Sequence, residues 1–138
     1  QRQMCIRDRV CPDRYDYEEE NNRSLGIRLT DSSHSFLILG DAQSKSESAM
    51  LNENLDLSAD VYMVSHHGSA SSSTEKFLRA VHPAFAVISV GADNDYGHPA
   101  QKTLSRLEAQ DIQILRTDLS GTITAYSTPD TLTWSTGR

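Results

Sequence analysis

Residue types that bind metals follow three separate apolar runs of this chain. The run FLILGD ends at Asp41, the run YMVSHH ends at His66 and His67, and VISVGADNDYGH leads through a polar loop to His98. Ligand sites of α/β sheets lie beyond the carboxyl ends of the strands, so these side chains can meet although they are far apart in sequence. Carboxylate and imidazole groups suit zinc, manganese or iron, which can turn bound water into a nucleophile near neutral pH.

Each of these candidate ligands also precedes a predicted helix start. The free backbone N–H groups and the positive dipole end of a helix N-terminus favour phosphate. The pattern therefore predicts a metal-dependent hydrolase that acts on a phosphoester.

Simpler interpretations exist for some of these residues. Asp41 after a glycine also fits an ordinary turn or helix-capping acid, and His98 also fits a helix cap. The pair His66 and His67 is harder to explain in this way, because adjacent side chains point differently and capping seldom needs both. A phospho-receiver domain with Asp41 as acceptor is a further alternative, but it lacks the expected paired acids at an earlier strand end and gives the histidine pair no role.

Other polar residues favour structural roles. His34 is expected in a hairpin turn and His82 in a loop before a strand. The stretch 69–74 is typical of a flexible loop with a helix cap, and secondarily of a hydroxyl-rich substrate rim. No functional role is expected for Cys5 and Cys11, and their sequence positions do not indicate whether they pair.

The elements that must position these side chains alternate between strands and helices. Strands are predicted at residues 24–30, 35–40, 61–65, 85–90, 112–117, 121–127 and 131–134, and the first two form a hairpin. Ser44 with Glu47, and Ser72 with Glu75, fit capping boxes at two helix starts. Pro99 fits the first turn of a third helix. The alternation predicts an α/β fold with right-handed crossovers.

Composition narrows the class of protein. A chain of 138 residues, with 37% hydrophobic and 23% charged residues, suits one globular domain. No apolar run approaches the roughly 20 residues of a membrane span. The formal net charge of −6 argues against a broad electrostatic nucleic-acid surface, although a bound metal would reverse this locally.

The N-terminal stretch differs from the rest. QRQMCIRDRV has no consistent helical or strand period and no apolar segment of a signal peptide. It resembles adaptor-derived peptide at the ends of assembled reading frames, so residues 1 to about 10 are expected to be non-native and the true protein to continue upstream. We therefore divide the chain into an irregular lead, 1–20, and a domain segment, 21–138.

Taken in order, the motifs resemble a known family. NNRSLGIRL, SFLILGD, ADVYMVSHHGSASSS, FAVISVGADNDYGHP and RTDLSGTITAY are similar to the C-terminal metallo-β-lactamase-like domain of the ComEC competence protein family, over roughly residues 21 to 126. SHHGS and YGHP at this spacing, after a strand ending in Gly-Asp, carry most of the resemblance. It implies an αββα sandwich, with a mixed sheet and flanking helices, that holds two divalent metal ions, zinc or manganese.

The resemblance also implies roles for single residues. Asp41 resembles the metal-bridging aspartate and His98 a metal-ligating histidine. His66 and His67 match paired histidines that coordinate metal or contact the scissile phosphate, so we expect a metal set of Asp41, His66 and His98, with His66 and His67 catalytic. Which histidine of the pair binds metal is left open. Matching residues with expected structural roles are Gly40, Gly68 and Gly97 at tight turns and Asn21, Asn22 and Ser24 beside the first strand.

One motif of the family is absent from the sequence. His-x-His-x-Asp-His, which supplies most metal ligands from the first half of that fold, does not occur. The chain therefore resembles only the C-terminal half of the domain. We expect a partial metal site, an incompletely covered sheet with exposed apolar surface, and a fragment whose remaining ligands lie upstream.

The resulting hypothesis concerns the complete protein. There, two metals would activate water to cleave phosphodiesters, with DNA as the implied substrate during uptake in bacterial competence. The full-length protein is expected in the inner membrane, where its own channel segments are the partners of this soluble, non-spanning segment. Alternatives are a free-standing hydrolase of the same fold and a metal-free binding module. The isolated chain is predicted to bind metal weakly and to lack turnover.

Overall fold

The main feature of the fold is a six-stranded mixed sheet. The computed structural model describes residues 6–31 and 33–138. The strands run in spatial order β1-β2-β3-β4-β5-β6. Their bounds are β1 Ile6–Cys11, β2 Gly26–Asp31, β3 His34–Ile38, β4 Val61–Met63, β5 Phe85–Ile88 and β6 Gln113–Arg116. A separate two-stranded sheet consists of β7 Ile123–Ser127 and β8 Leu132–Thr136.

The sheet changes from antiparallel to parallel pairing at β3. β1, β2 and β3 pair antiparallel, and β3 through β6 pair parallel. Helices connect the parallel strands: α1 Ser44–Asn52, α2 Glu75–Val81 and α3 Gln101–Glu108, followed by the short α4 Thr117–Ser120. The predicted α/β class and the mixed sheet with helices are confirmed. Within the described residues, no helix combines the length and apolar composition that a bilayer crossing requires.

One face of the sheet packs against the helices. Strand register aligns Leu37, Tyr62 and Ala86 across β3, β4 and β5, and all three are fully buried. They join one hydrophobic core with residues from the three connecting helices, including Met50, Phe77, Leu78, Val81 and Leu107. This burial fixes the strands whose carboxyl ends carry the candidate ligands.

The opposite face is less completely covered. Register places Ile38, Met63 and Val87 in one row there, and Ile38 remains 36% exposed. The β7–β8 hairpin contacts this side, with the Trp134 ring 5.1 Å from that of Phe85. Because Val87 in the same row is buried, the expected uncovered apolar surface stays a prediction.

A strand occupies residues 6–11, in the stretch expected to be irregular. β1 pairs with β2 from Ile6 opposite Thr30 to Cys11 opposite Gly26. The strand lacks an alternating pattern because its first four residues are all exposed, and backbone pairing with β2 holds it in place. Cys11 is a buried free thiol whose pKa is raised to about 11 by burial, whereas Cys5 lies outside the described residues.

The predicted capping box at α1 is wrong. The helix follows Gln43 as N-cap, and no N-cap side chain bonds its first turn. Instead, the buried Asn22 side chain accepts hydrogen bonds from the backbone N–H groups of Gln43 and Ser46, at 3.2 and 3.1 Å. Glu47, the expected partner of Ser44, points away to another loop. An amide distant in sequence therefore replaces the local cap.

The other two predicted helix starts also differ. α2 follows Thr74 rather than Ser72, because the Ser72 hydroxyl donates to the carbonyl oxygens of Ser65 and Ser69. α3 starts at Gln101 after Ala100, so Pro99 precedes the helix instead of lying in its first turn. In both places the polar loop before the helix is one or two residues longer than the capping patterns predict.

Candidate functional site

The predicted ligands meet around one cavity at the carboxyl edge of the parallel strands. Asp41 follows β3, His66 and His67 follow β4, and His98 lies in the loop after β5. The cavity measures about 240 Å³ and is lined by Asn21, Asp41, His66, His67, Tyr96 and His98. The four predicted site residues Asp41, His66, His67 and His98 thus lie together. His34 and His82 are elsewhere: His34 bonds Ser127, and His82 ends α2.

The histidine pair occupies a strained turn. His66 and His67 lie inside a 3-10 segment, Ser65–Gly68, and have φ angles of 53° and 54°. Left-handed backbone costs a non-glycine residue about 1 to 2 kcal/mol. The His66 N–H donates to the Gly40 carbonyl at 3.0 Å, which joins the end of β4 to the loop before Asp41. Such strain persists only where surrounding contacts impose it, and it is concentrated at functional sites.

The two imidazoles of the pair point in different directions. His67 Nδ1 lies 2.7 Å from the Ser89 carbonyl oxygen. Because a carbonyl oxygen only accepts, Nδ1 carries the proton, and a neutral His67 has its lone pair on Nε2. Nε2 lies 3.7 Å from Asp41 Oδ1. Two electron-pair donors therefore face each other, and both can bind the same cation.

His66 lies between two side-chain amides. Its Nε2 is 3.4 Å from Asn21 Nδ2, and its Nδ1 is 3.4 Å from Gln43 Nε2. The His66 ring also meets the His98 ring edge to face, with centroids 5.7 Å apart. These contacts orient His66 across the cavity from the Asp41–His67 pair.

Among the described residues, one buried ring nitrogen of His98 has no hydrogen-bond partner. Nδ1 makes no hydrogen bond to any described residue, an uncommon state for a buried polar atom. The backbone around the ring is fixed by Asn94, whose side chain accepts from the His98 N–H at 2.9 Å and donates to the His98 carbonyl at 2.7 Å. Burial, together with the nearby His66 and His67, lowers the pKa of His98 below its ordinary value of 6.5.

This lowered pKa predicts how stability depends on pH without metal. In the unfolded chain, His98 takes up a proton as the pH falls below its ordinary pKa of 6.5. In the folded chain, where its pKa is lower, it takes up that proton only at a lower pH. Between these two pKa values the unfolded state binds more protons than the folded state. The free energy of unfolding is therefore highest above pH 6.5 and decreases as the pH falls towards the pKa of His98 in the folded chain. Urea unfolding with EDTA, followed by circular dichroism from pH 7.5 to about 5.5, should show this decline. The His98→Gln variant should show a shallower one, and identical slopes would contradict the assignment.

A buried polar network lies beneath the histidine turn. The Tyr62 hydroxyl donates to Ser65 Oγ at 2.9 Å, accepts from the Ser65 N–H at 3.1 Å, and lies 3.0 Å from Ser73 Oγ. The Glu47 carboxylate accepts from the N–H groups of Ser73 and Thr74 and from the Thr74 hydroxyl. Burial raises the pKa of Glu47, and these hydrogen bonds oppose the rise. The network ties α1 to the loop that follows the histidine pair.

Arg106 holds the same loop from α3. Its guanidinium donates to the carbonyl oxygens of Ala70, Ser72 and Ser73, at 3.3, 2.9 and 3.4 Å. Thr103, also on α3, donates to Ser69 at 2.9 Å. The stretch 69–74 is therefore a braced loop rather than the flexible one expected, and several of its hydroxyl groups are used in bracing it.

Several residues of the site had been given another role in the sequence analysis, or none. Asn21 lines the cavity, Asn22 caps α1, and the Ser24 hydroxyl accepts from the Asp41 N–H at 3.2 Å, so this group supports the site instead of only the first strand. Gln43 and Tyr96 were missed. Tyr96 lies within YGHP and could have been found from that motif, whereas nothing in the local pattern marks Gln43.

The donor set fits part of a metal centre. The His98 nitrogen without a partner and the facing Asp41 and His67 atoms are suitable donors. Nevertheless, in residues 6–31 and 33–138 no three His, Cys, Asp or Glu side chains form a group that could hold a metal ion. The assignment of Asp41, His66 and His98 as a metal set stays a prediction.

Fold and site together define an α/β domain with a histidine- and aspartate-lined cavity at the edge of a mixed sheet. No protein-family model matches the chain. The chain is 38% identical to ComE operon protein 3 of Bacillus subtilis (strain 168) over 114 residues, which is 83% of the chain. It is 37% identical to Competence protein ComA of Neisseria gonorrhoeae over 106 residues, which is 76% of the chain. It is 33% identical to Recombination protein 2 of Haemophilus influenzae over 104 residues, or 75% of the chain.

These relatives support a competence-protein family for the chain. The matched segment covers only 15%, 15% and 13% of the three relatives, respectively. The chain thus corresponds to a small part of each of them.

Proposed function

We propose that this chain forms the C-terminal half of a metallo-β-lactamase-like hydrolase domain in a competence protein, and that the complete protein cleaves phosphodiesters of DNA during uptake. The observation that carries the proposal is the convergence of Asp41, His66, His67 and His98 on one cavity. The names of the relatives support the link to competence. The whole protein would act at the bacterial inner membrane, with its own channel segments as partners of this domain.

Asp41 and His67 are the side chains best placed to share a cation. Protein ligands lie about 2.0 to 2.2 Å from zinc, so two ligands of one ion are separated by no more than roughly 4 Å. The 3.7 Å between Asp41 Oδ1 and His67 Nε2 satisfies this limit. Ser89 holds the His67 tautomer that leaves Nε2 free. We therefore assign His67 to metal coordination together with Asp41, in place of the His66 that the resemblance led us to expect.

The remaining histidines divide the other tasks. His98 would contribute a further ligand, because it lines the same cavity and one of its ring nitrogens has no hydrogen-bond partner among the described residues. His66, whose unprotonated nitrogen can accept from only one of the neighbouring Asn21 and Gln43 amides, would orient the scissile phosphate. When bound, two zinc or manganese ions would supply the Lewis acidity that makes water a nucleophile near neutral pH. The remaining ligands of a complete centre would come from outside residues 1–138.

Calorimetric titration of the 138-residue chain with MnCl₂ and ZnCl₂ tests this assignment. We expect weak binding that decreases about 100-fold or more in Asp41→Asn and His67→Gln, because each removes a ligand. His34→Gln and His82→Gln are matched controls outside the cavity and should bind as the wild type does. Equal binding by Asp41→Asn and wild type would overturn the metal site.

Hydrolysis is tested separately. The isolated chain should not cleave a phosphodiester such as bis-p-nitrophenyl phosphate, because its ligand set is partial. In the full-length protein, Asp41→Asn should reduce transformation and DNA cleavage about 100-fold or more. Chelator-sensitive turnover by the isolated chain would contradict the half-site, and unchanged cleavage by the full-length variant would contradict the hydrolase.

A metal-free binding module is the second candidate. It is favoured by the absence, among the described residues, of three converging ligand side chains. This alternative predicts that no variant of the cavity changes metal binding, so the same titration separates the two.

A further inference from the structure

Tyr96 is an exposed aromatic side chain beside the candidate metal site. It is 83% exposed, the largest value among the exposed large hydrophobic side chains of the described residues. An aromatic ring gains its stabilising effect by burial, typically of 150 to 250 Å². In the free protein Tyr96 has little of the stabilisation that burial provides, so packing does not explain its position.

The loop that carries Tyr96 is held in place before any ligand arrives. Asn94 Nδ2 donates to the carbonyl oxygens of Gly91 and His98, at 2.9 and 2.7 Å, and Asn94 Oδ1 accepts from the His98 N–H. These bonds close the loop on both sides of Tyr96. The Tyr96 ring is stacked on the His98 ring at 21° between planes, with centroids 5.9 Å apart. The ring is therefore preorganised, which lowers the entropy cost of binding.

Tyr96 contributes to two cavities of different character. The first is the histidine- and aspartate-lined cavity described above. The second, of about 200 Å³, is lined by His67, Val90, Gly91, Asn94, Tyr96 and His98. It shares the three rings of His67, Tyr96 and His98 with the first but contains no carboxylate. A ligand that spans both would place a charged group near the histidines and a flat apolar group beside Tyr96.

We propose that Tyr96 stacks on a base of single-stranded nucleic acid whose phosphodiester occupies the histidine-lined cavity. This inference rests on the proposed function and specifies its substrate. Every base has a π-face, so stacking on an aromatic side chain tolerates any sequence. In a duplex the bases are already stacked and paired, so an exposed ring on a rigid loop suits an unpaired strand.

The negative net charge of the chain explains why stacking on Tyr96 would be needed for binding. The chain has a net charge of −6, and Asp93 and Asp95 lie in the same loop as Tyr96. Broad attraction to the phosphate backbone is therefore weak, and ring stacking supplies contact energy that does not depend on counterion release. Binding should accordingly depend only weakly on salt concentration.

Fluorescence anisotropy with a labelled thymidine decamer, without added metal and with EDTA present, tests the proposal. Tyr96→Ala should weaken binding about 5- to 150-fold, the range found for loss of one stacked base. Tyr96→Phe keeps the ring and should bind within about twofold of the wild type. A decamer of abasic sites should bind weakly and show no effect of Tyr96→Ala. Tyr126→Ala, at another exposed tyrosine outside both cavities, is the matched control.

Two results would overturn base stacking: equal affinity of Tyr96→Ala and wild type for the thymidine decamer, or no binding of that decamer by the wild type at millimolar concentration. Neither result affects the hydrolase proposal, which depends on metal titration of the Asp41 and His67 variants. Conversely, intact stacking with no metal binding would leave the inference standing as base recognition by a non-catalytic module.

Discussion

Gly68→Ala is expected to lower the free energy of unfolding by about 3 kcal/mol and to weaken metal binding. Gly68 ends the histidine turn with a φ angle of +83°, and a Cβ there would lie 2.6 Å from Pro99 Cβ and 3.1 Å from its Cα. Left-handed strain contributes about 1 to 2 kcal/mol, and the overlap with Pro99 adds about 1 to 3 kcal/mol. The clash would displace the histidine turn relative to the loop that carries His98. Urea denaturation and manganese titration measure both effects.

Alanine variants of two other glycines distinguish the cost of left-handed backbone strain from the cost of steric overlap. Gly97 has a φ angle of +68°, but a methyl group added there would meet no atom of the described residues within 4 Å. Gly91 has no left-handed φ angle, and a methyl group there would likewise meet none of them. Gly97→Ala should therefore cost about 1 to 2 kcal/mol, and Gly91→Ala should be neutral or stabilising by up to about 1 kcal/mol. Equal stability of the Gly68→Ala and Gly97→Ala variants would show that contact with Pro99 is unimportant.

Glu47→Ala is expected to lower the free energy of unfolding by about 4 kcal/mol. The substitution removes a buried carboxylate that accepts three hydrogen bonds from Ser73 and Thr74. Those donors would be left without partners, at about 1 to 3 kcal/mol each where they stay dry, and the lost side chain would leave a cavity. Thermal and urea unfolding by circular dichroism measure the change.

Glu75 provides the comparison for this prediction. Its side chain lies on the surface of α2 and pairs with Arg79, with exposed fractions of 63% and 71% for the two side chains. Glu75→Ala should change stability by no more than about 0.5 kcal/mol. Glu47→Gln should lie between the two, because one amide oxygen replaces two carboxylate oxygens. A Glu47→Ala variant as stable as Glu75→Ala would show that the network contributes little.

The sequence was sufficient to predict the strands that deliver the site. Apolar runs that end in Asp41, His66, His67 and His98 are local patterns, and the parallel arrangement brings their carboxyl ends to one edge. The meeting of these four side chains follows from strand order, which is why spacing and alternation were enough. Their metal and catalytic roles remain predictions.

Long-range polar contacts could not be predicted in the same way. Asn22 caps α1 and Glu47 caps the loop before α2, and both act across more than twenty residues. Local capping patterns assume that each helix satisfies its own first turn. β1 was missed because its first four residues are exposed and show no alternation of buried and exposed positions. Side chains that serve distant elements leave no periodic signal.

The contact between the β7–β8 hairpin and the main sheet gives the molecule a built-in optical reporter. Trp134 is the single tryptophan of the chain, and its ring lies against Phe85 of β5. Its emission therefore reports docking of the hairpin, whereas far-ultraviolet circular dichroism reports the secondary structure as a whole. If the emission maximum shifts to longer wavelength at a lower urea concentration than the dichroism changes, the hairpin opens before the sheet unfolds. Coincident transitions would make the hairpin part of one cooperative unit.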